Sequence, residues 1–163
     1  MTDTFDATFD VVDSGASLTY PIAISDVKKG GHICMSDNRP CKVVDIATSK
    51  TGKHGHAKAN ITGIDIFNNR KYQDVSPVSH SKDCPHISRT EWTVMMVDDD
   101  GYVFLADKTG KIRQDLKLPN DIEDDAITTK KILDGIEAGK TILVTILGAM
   151  GIEKIEDAKE AQD

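Results

Sequence analysis

From Ile33 onward the apolar residues of this 163-residue chain come in short β-branched runs, each cut by a turn cluster before a helix could develop. That pattern restricts the fold to small antiparallel sheets. Residues 33–36 lead into Asp37-Asn38-Arg39-Pro40, and residues 41–47, rich in Val and Ile, return as the second arm of a hairpin. Ala57, Ala59 and Ile61 alternate, and the pattern slips at Gly63 so that Ile64 and Ile66 continue it, which predicts a bulged strand. Asn68-Asn69 turns the chain into residues 70–75. A second series follows, with residues 91–97 placing Trp92, Val94 and Met96 on one face. The Asp98-Asp99-Asp100-Gly101 turn leads to residues 102–106, and Lys108-Thr109-Gly110 leads to residues 111–116. Strands of this length and spacing predict a small barrel. One stretch differs: Ala126, Thr129, Leu133 and Ile136 recur at helical spacing behind Asp124 and Asp125, which can cap free amides, and Gly139 can end the helix in a left-handed conformation. Residues 142–147 read as a buried strand, and Ile152, Ile155 and Ala158 as a short terminal helix.

Between Val75 and Ile87 the residues Ser76-Pro77, Ser79, Ser81, Asp83 and Cys84-Pro85 show neither period, so the junction between two domains, 19–86 and 87–163, is placed there. Residues 1–18 hold Asp3, Asp6, Asp10 and Asp13 and no basic side chain, which predicts a flexible acidic tail. The formal net charge is -7, so the molecule as a whole repels nucleic acid and anionic membrane, and an RNA partner must be met by a local patch. The longest apolar stretch, 142–147, is far too short to span a bilayer. No Lys or Arg precedes Lys28, the reverse of a signal or transit peptide, so a cytoplasmic location is expected. Cys34, Cys41 and Cys84 are odd in number and form no C-x-x-C pair, which fits a reducing compartment; a zinc set completed by His86 has a spacing unlike zinc ribbons. The Asp98–Gly101 run fails as a calcium loop, because Met96 stands where a ligand is required and no Glu closes the pattern.

One segment carries chemistry. Ser49-Lys50-Thr51-Gly52-Lys53-His54-Gly55-His56-Ala57-Lys58 lies between two strands with three lysines, two histidines and no acid, a sharply basic loop in an acidic protein. A basic hairpin tip is often no more than a solvated turn. Here Gly52 and Gly55 flank Lys53 and His54, which lets the tip turn tightly and project Lys53 outward. A Walker phosphate loop is excluded, since Ala47 stands where its first glycine is required and His54 follows Lys53. A metal site from His54 and His56 has no carboxylate or thiol beside it in sequence. An enzymatic nucleophile at Lys53 needs a desolvated pocket that an exposed tip does not offer.

The segment 48–58 resembles the hypusine loop of the eukaryotic translation initiation factor 5A family. The likeness extends to Tyr20-Pro21, Lys28-Lys29-Gly30-Gly31, Arg39-Pro40-Cys41-Lys42-Val43, Asp65-Ile66-Phe67 and Ala149-Met150-Gly151, so that it covers about residues 19–151. It departs from the family pattern at Ala47, at Val78-Ser79-His80-Ser81 and in the strand with Trp92. The resemblance implies a mainly β chain: an N-terminal SH3-like barrel followed by a C-terminal OB-fold barrel with one inserted helix. It further implies that Lys53 is converted to hypusine by deoxyhypusine synthase, which draws on spermidine, and then by deoxyhypusine hydroxylase, with no other cofactor. The implied protein is not an enzyme. It is a ribosome-binding factor that sets modified Lys53 beside the acceptor end of peptidyl-tRNA, with Lys50, His54, His56 and Lys58 on ribosomal RNA backbone and Thr51, Gly52 and Gly55 shaping the loop. A homodimer stays open. The rival reading is an RNA-binding module that works without a ribosome, but such surfaces pair basic charge with stacking aromatics. Aromatics are only 5% here, and the second half carries Asp98, Asp99, Asp100, Asp121, Glu123, Asp124 and Asp125.

Overall fold

The computed structural model describes residues 17–50 and 57–162; the predicted tail, residues 1–18, lies outside them except for Ser17 and Leu18. Along the described chain run β1 (Thr19–Ala23), β2 (His32–Met35), β3 (Arg39–Lys50), β4 (Ala57–Asp65), β5 (Lys71–Pro77), β6 (Ser81–Pro85), β7 (Ser88–Val97), β8 (Tyr102–Ala106), β9 (Ile112–Lys117), the helix α1 (Asp125–Glu137), β10 (Ile142–Ala149) and β11 (Ile152–Glu160). They fall into two compact units. The first takes the described residues up to Ile64 together with Tyr72–His86, and the second takes Asp65–Lys71 together with those from Ile87 on.

In the first unit β2, β3, β4 and β5 form one sheet in that order, and β1 pairs antiparallel with β6. The β2–β3 hairpin turns where expected, through Asp37 and Asn38 with φ of 51° and 61°. Both central residues are thus left-handed, the turn whose twist matches paired strands, and Asn and Asp tolerate it best after Gly. The Arg39 N–H donates to the Ser36 carbonyl at 3.1 Å and closes it. Ile24, Ile33, Met35, Cys41, Val43, Ala59 and Ile61 make the core.

Two expectations for this unit change. The alternation in β4 does not slip: Ala59, Ile61, Gly63 and Asp65 are all buried, while Ile64 points to the other face. Gly63 is there because a Cβ would press on the Met35 sulfur and come within 3.1 Å of the Cys41 Cβ. Nor is the stretch after Val75 irregular throughout, because Ser81–Pro85 is a strand. Its partner β1 lies about 60 residues earlier, with Tyr20 opposite Cys84, so no local periodicity could reveal it.

The second unit is a five-stranded sheet in the order β11-β10-β7-β8-β9. Arg113 of β9 reaches Glu153 of β11 at 2.7 Å, so the two end strands meet and the sheet curls. Trp92, Val103, Leu105, Ile132, Val144, Ile146 and Ile155 fill it, and Phe67, Leu147 and Ala149 form a second cluster. The hairpin turns at Asp98 and Asp107 are built alike. Each carboxylate accepts backbone N–H groups two and four residues on, at 2.9 Å, and each turn ends in a glycine with φ of 89°.

Four details of this unit depart from the sequence reading. Met96 does not share a face with Trp92 and Val94, since a register shift between Val94 and Met96 inserts Met95 and leaves both methionines exposed. The helix buries Asp125, Thr128, Ile132 and Gly135, whereas Leu133 and Ile136 face outward. The apolar stripe misled because Gly135 packs directly on the Ile142 side chain, with no room for a Cβ, and so fixes which face sits on the sheet. Asp124 makes no side-chain cap, and the Asp125 carboxylate instead accepts the N–H groups of Asp121 and Ile122 at 2.8 and 3.0 Å. Finally, Ile152–Glu160 is a strand and not a helix. Ile155 pairs with Ile146 and Asp157 with Thr145, so Glu156 is an extra residue, and this bulge sets Ile155 and Ala158 inward at a spacing of three that mimics a helix. The helix end is as expected: Gly139 has φ of 72°, its N–H donates to the Ile136 carbonyl, and that of Lys140 to the Gly135 carbonyl.

Candidate functional site

β3 and β4 are the arms that carry the basic loop. Within β3 the burial falls away along the strand: Cys41 and Val43 are in the core, Val44 and Ile46 are half-buried, and Ala47, Thr48, Ser49 and Lys50 are all exposed. A strand with nothing to bury at its end is holding that end out into solvent. On the return arm Lys58 and Asn60 are exposed while Ala59 and Ile61 anchor the strand in the core. The root is pinned by the Val78 N–H, which donates to the Ala57 carbonyl at 3.0 Å. Of the site residues read from the sequence, Lys50 and Lys58 therefore stand exposed on the two arms. Thr51, Gly52, Lys53, His54, Gly55 and His56 lie outside the described residues.

The electrostatics of the first unit are unusual. Lys28, Lys29, Lys42, Lys50 and Lys58 are all exposed and close no ion pair among the described residues. Lys82 does, with Asp74, and its hydrogen bond holds that carboxyl below its usual range. Cations left uncompensated on a rigid frame remain available to an anionic partner.

The second unit contains a buried ion pair that no sequence signal announced. Lys154 of β11, itself 9% exposed, meets the Asp125 carboxylate at 2.7 Å and donates to the Phe67 carbonyl at 2.9 Å. Burial pushes the Asp125 carboxyl up, but the hydrogen bonds from Lys154, Ile122 and Asp121 outweigh it and hold the group below its ordinary value. Arg113 lies 5.5 Å over the Trp92 ring and is gripped by Asp115 and then Glu153, which hold its proton more firmly than in water. These clusters knit strands together.

The three cysteines are buried in the first unit and none is in a disulfide. Cys84 donates to the His32 carbonyl at 3.0 Å, and burial pushes the Cys34 thiol up, followed by the charges of Asp83 and Cys84. A thiol held protonated is a poor nucleophile and a poor ligand. No group of three or more metal-binding side chains converges among the described residues.

A barrel-like unit that offers a basic hairpin, followed by a curled five-stranded sheet with one helix between its third and fourth strands, makes a two-domain, mainly β protein with an exposed basic arm. Residues 17–80 match the family described as Translation initiation factor 5A-like, N-terminal. Residues 86–159 match Eukaryotic elongation factor 5A hypusine, DNA-binding OB fold. Eukaryotic translation initiation factor 5A-1 of Arabidopsis thaliana is 45% identical over 152 residues, 93% of each chain. The maize protein, Eukaryotic translation initiation factor 5A of Zea mays, is 47% identical over 143 residues, 88% of this chain and 86% of the relative. Among solved structures, a translation initiation factor eif-5a family protein from Naegleria fowleri superposes with a TM-score of 0.81 at 45% identity, covering 88% of this chain and 99% of its own. The archaeal structure from Methanococcus jannaschii gives 0.63 at 30% identity, over 87% and 96%. This chain belongs to the eukaryotic translation initiation factor 5A family, and its fold is an SH3-like barrel followed by an OB-fold barrel with one inserted helix. Its role is that of a translation factor.

Proposed function

We propose that this chain works on the ribosome by presenting Lys53, converted to hypusine, to the acceptor end of peptidyl-tRNA, and so promotes peptide-bond formation at stalled, proline-rich sequences and aids elongation and termination. The observation that carries this reading is the hairpin itself, two strands anchored in a core whose far ends are exposed, with the segment 49–58 between them lysine-rich and free of acid. Modification by deoxyhypusine synthase and deoxyhypusine hydroxylase lengthens the tethered cation and adds an amine and a hydroxyl, so the tip reaches phosphate and ribose groups at a distance. Proline is a secondary amine in a locked ring and attacks poorly; holding the tRNA end in a reactive geometry removes part of the entropic barrier. Lys50, His54, His56 and Lys58 contact RNA backbone, and Thr51, Gly52 and Gly55 shape the tip. The factor contributes positioning and not a catalytic group of its own, and its workplace is the cytoplasm.

The test is a mass spectrum of the Lys53 peptide from protein isolated from its native cells. A mass increment equal to hypusine on Lys53 supports the reading. An unmodified Lys53 in ribosome-associated protein overturns it and favours the RNA-binding module that needs no modification.

A further inference from the structure

A second basic feature of the first unit has no part in the hairpin. Lys28, Lys29, Gly30 and Gly31 form a β-turn: the Gly31 N–H donates to the Lys28 carbonyl at 2.9 Å, and Gly30, with φ of 94°, occupies the position that only glycine takes freely. The turn is locked to β3 on both sides of Val43. Gly30 donates to the Val43 carbonyl and Val43 donates to the Gly31 carbonyl, each at 2.8 Å. Val43 is buried, whereas its neighbour Lys42 is exposed and stands opposite His32 in the β2–β3 register. Three lysines are thereby held together on a fixed backbone corner. The nearest acids along the chain are Asp26 and Asp45, and neither closes an ion pair with these lysines among the described residues. Uncompensated like charges repel one another, so three lysines at one corner are a cost to folding that an external anion relieves. Lys42 and Lys50 are eight residues apart on β3, about 26 Å at the usual rise of a strand. Lys42 thus stands well apart from Lys50 along the strand.

We propose that the Lys28-Lys29-Lys42 corner is a second contact for RNA phosphate backbone, separate from the modified loop, and that it fixes the orientation of the first unit on the RNA. The inference rests on the reading of this chain as an RNA-engaging factor. Phosphate neutralisation by lysine releases counterions, so each contact adds about 0.7 to the slope of log affinity against log salt for a single strand.

The experiment measures binding of the full chain to a fluorescent single-stranded oligouridylate of defined length across a salt series. Three forms are compared: wild type, Lys28→Ala/Lys29→Ala/Lys42→Ala, and Lys50→Ala/Lys58→Ala. Circular dichroism melting of each checks the fold, which exposed lysines leave intact. The corner variant is expected to reduce the salt slope by about two and to weaken binding at low salt at least tenfold. Lys28→Arg/Lys29→Arg/Lys42→Arg restores both, because the requirement is charge on a fixed frame. A corner variant that binds as wild type does, while the loop variant loses slope, overturns this inference and leaves the function proposed above standing. Unchanged slopes in both variants overturn the inference and the RNA-engaging reading together. A corner variant that loses association with ribosomes but keeps its RNA slope also overturns the inference, since the contact is then to a protein.

Discussion

The two barrels of this protein treat charge in opposite ways. Residues 17–86 hold 10 Lys and Arg against 6 Asp and Glu, and residues 87–163 hold 10 against 17, so the chain's acidity comes from its second half and its first 16 residues. More telling is what the cations do. In the second unit Arg89, Arg113, Lys130, Lys131, Lys140, Lys154 and Lys159 are each tied to a carboxylate, while Arg70, Lys71, Lys108, Lys111 and Lys117 close no ion pair among the described residues. In the first, five exposed lysines have no such partner among the described residues. A paired surface spends its charge on its own fold, whereas an unpaired one keeps it for a partner. The first unit is accordingly the one equipped to meet an anion, and the second is built to hold together.

If that division is right, charge changes in the second unit alter stability and those in the first alter binding. The largest effect is expected from Asp125→Asn, which removes the nearer of the two carboxylates at the buried Lys154 ammonium, leaves it Asp121 at 3.4 Å and the Phe67 carbonyl, and costs about 3 kcal/mol of stability. Chemical denaturation reads it, with ribosome association below the midpoint unchanged. The same pair gives a pH dependence. The Asp125 carboxyl titrates lower in the folded than in the unfolded state, whose ordinary value is 3.8, so its stabilisation is complete above that value and is lost as pH falls through the lower folded one. Wild type is expected to lose stability there more steeply than Asp125→Asn. Next in size, Lys50→Glu with Lys58→Glu lowers ribosome affinity about ten- to a hundredfold, with the loss shrinking as salt rises, and leaves the melting temperature where it was. Sedimentation with ribosomes measures it. A smaller change, about 1–3 kcal/mol, follows Gly63→Ala, because the new methyl must displace Met35 and Cys41 in a packed core. The smallest is Lys130→Ala, which breaks an exposed pair with Asp134 at 2.9 Å and leaves the melting temperature unchanged within error. A binding loss from Asp125→Asn equal to its stability loss breaks the comparison.

The strands and turns were legible in the sequence wherever the information was local. The Asp37-Asn38 turn, the Asp98–Gly101 turn and the Gly139 helix end each rest on the backbone preference of one or two residues, and each stands as read. Errors arose where distant residues decide. β6 exists because Thr19–Ala23 pairs with it, the buried face of α1 is chosen by Ile142 against Gly135, and the β11 bulge turned a strand into the image of a helix. The site divides in the same way. The basic loop between two strands is visible in its composition, and Lys50 and Lys58 stand exposed on the arms. Which cations find a carboxylate and which do not depends on spatial neighbours and is invisible in any count of charges. The Lys154–Asp125 pair is hidden for the same reason, its members being 29 residues apart.

The central claim is that the first unit acts through Lys53 and the second does not. Rapid-mixing measurement of peptide-bond formation on a proline-rich template, comparing wild type with Lys53→Arg, tests it most directly. Guanidinium keeps the charge but cannot accept the aminobutyl group, so stimulation is expected to vanish while both barrels remain folded. Stimulation by Lys53→Arg equal to that of wild type would contradict the account.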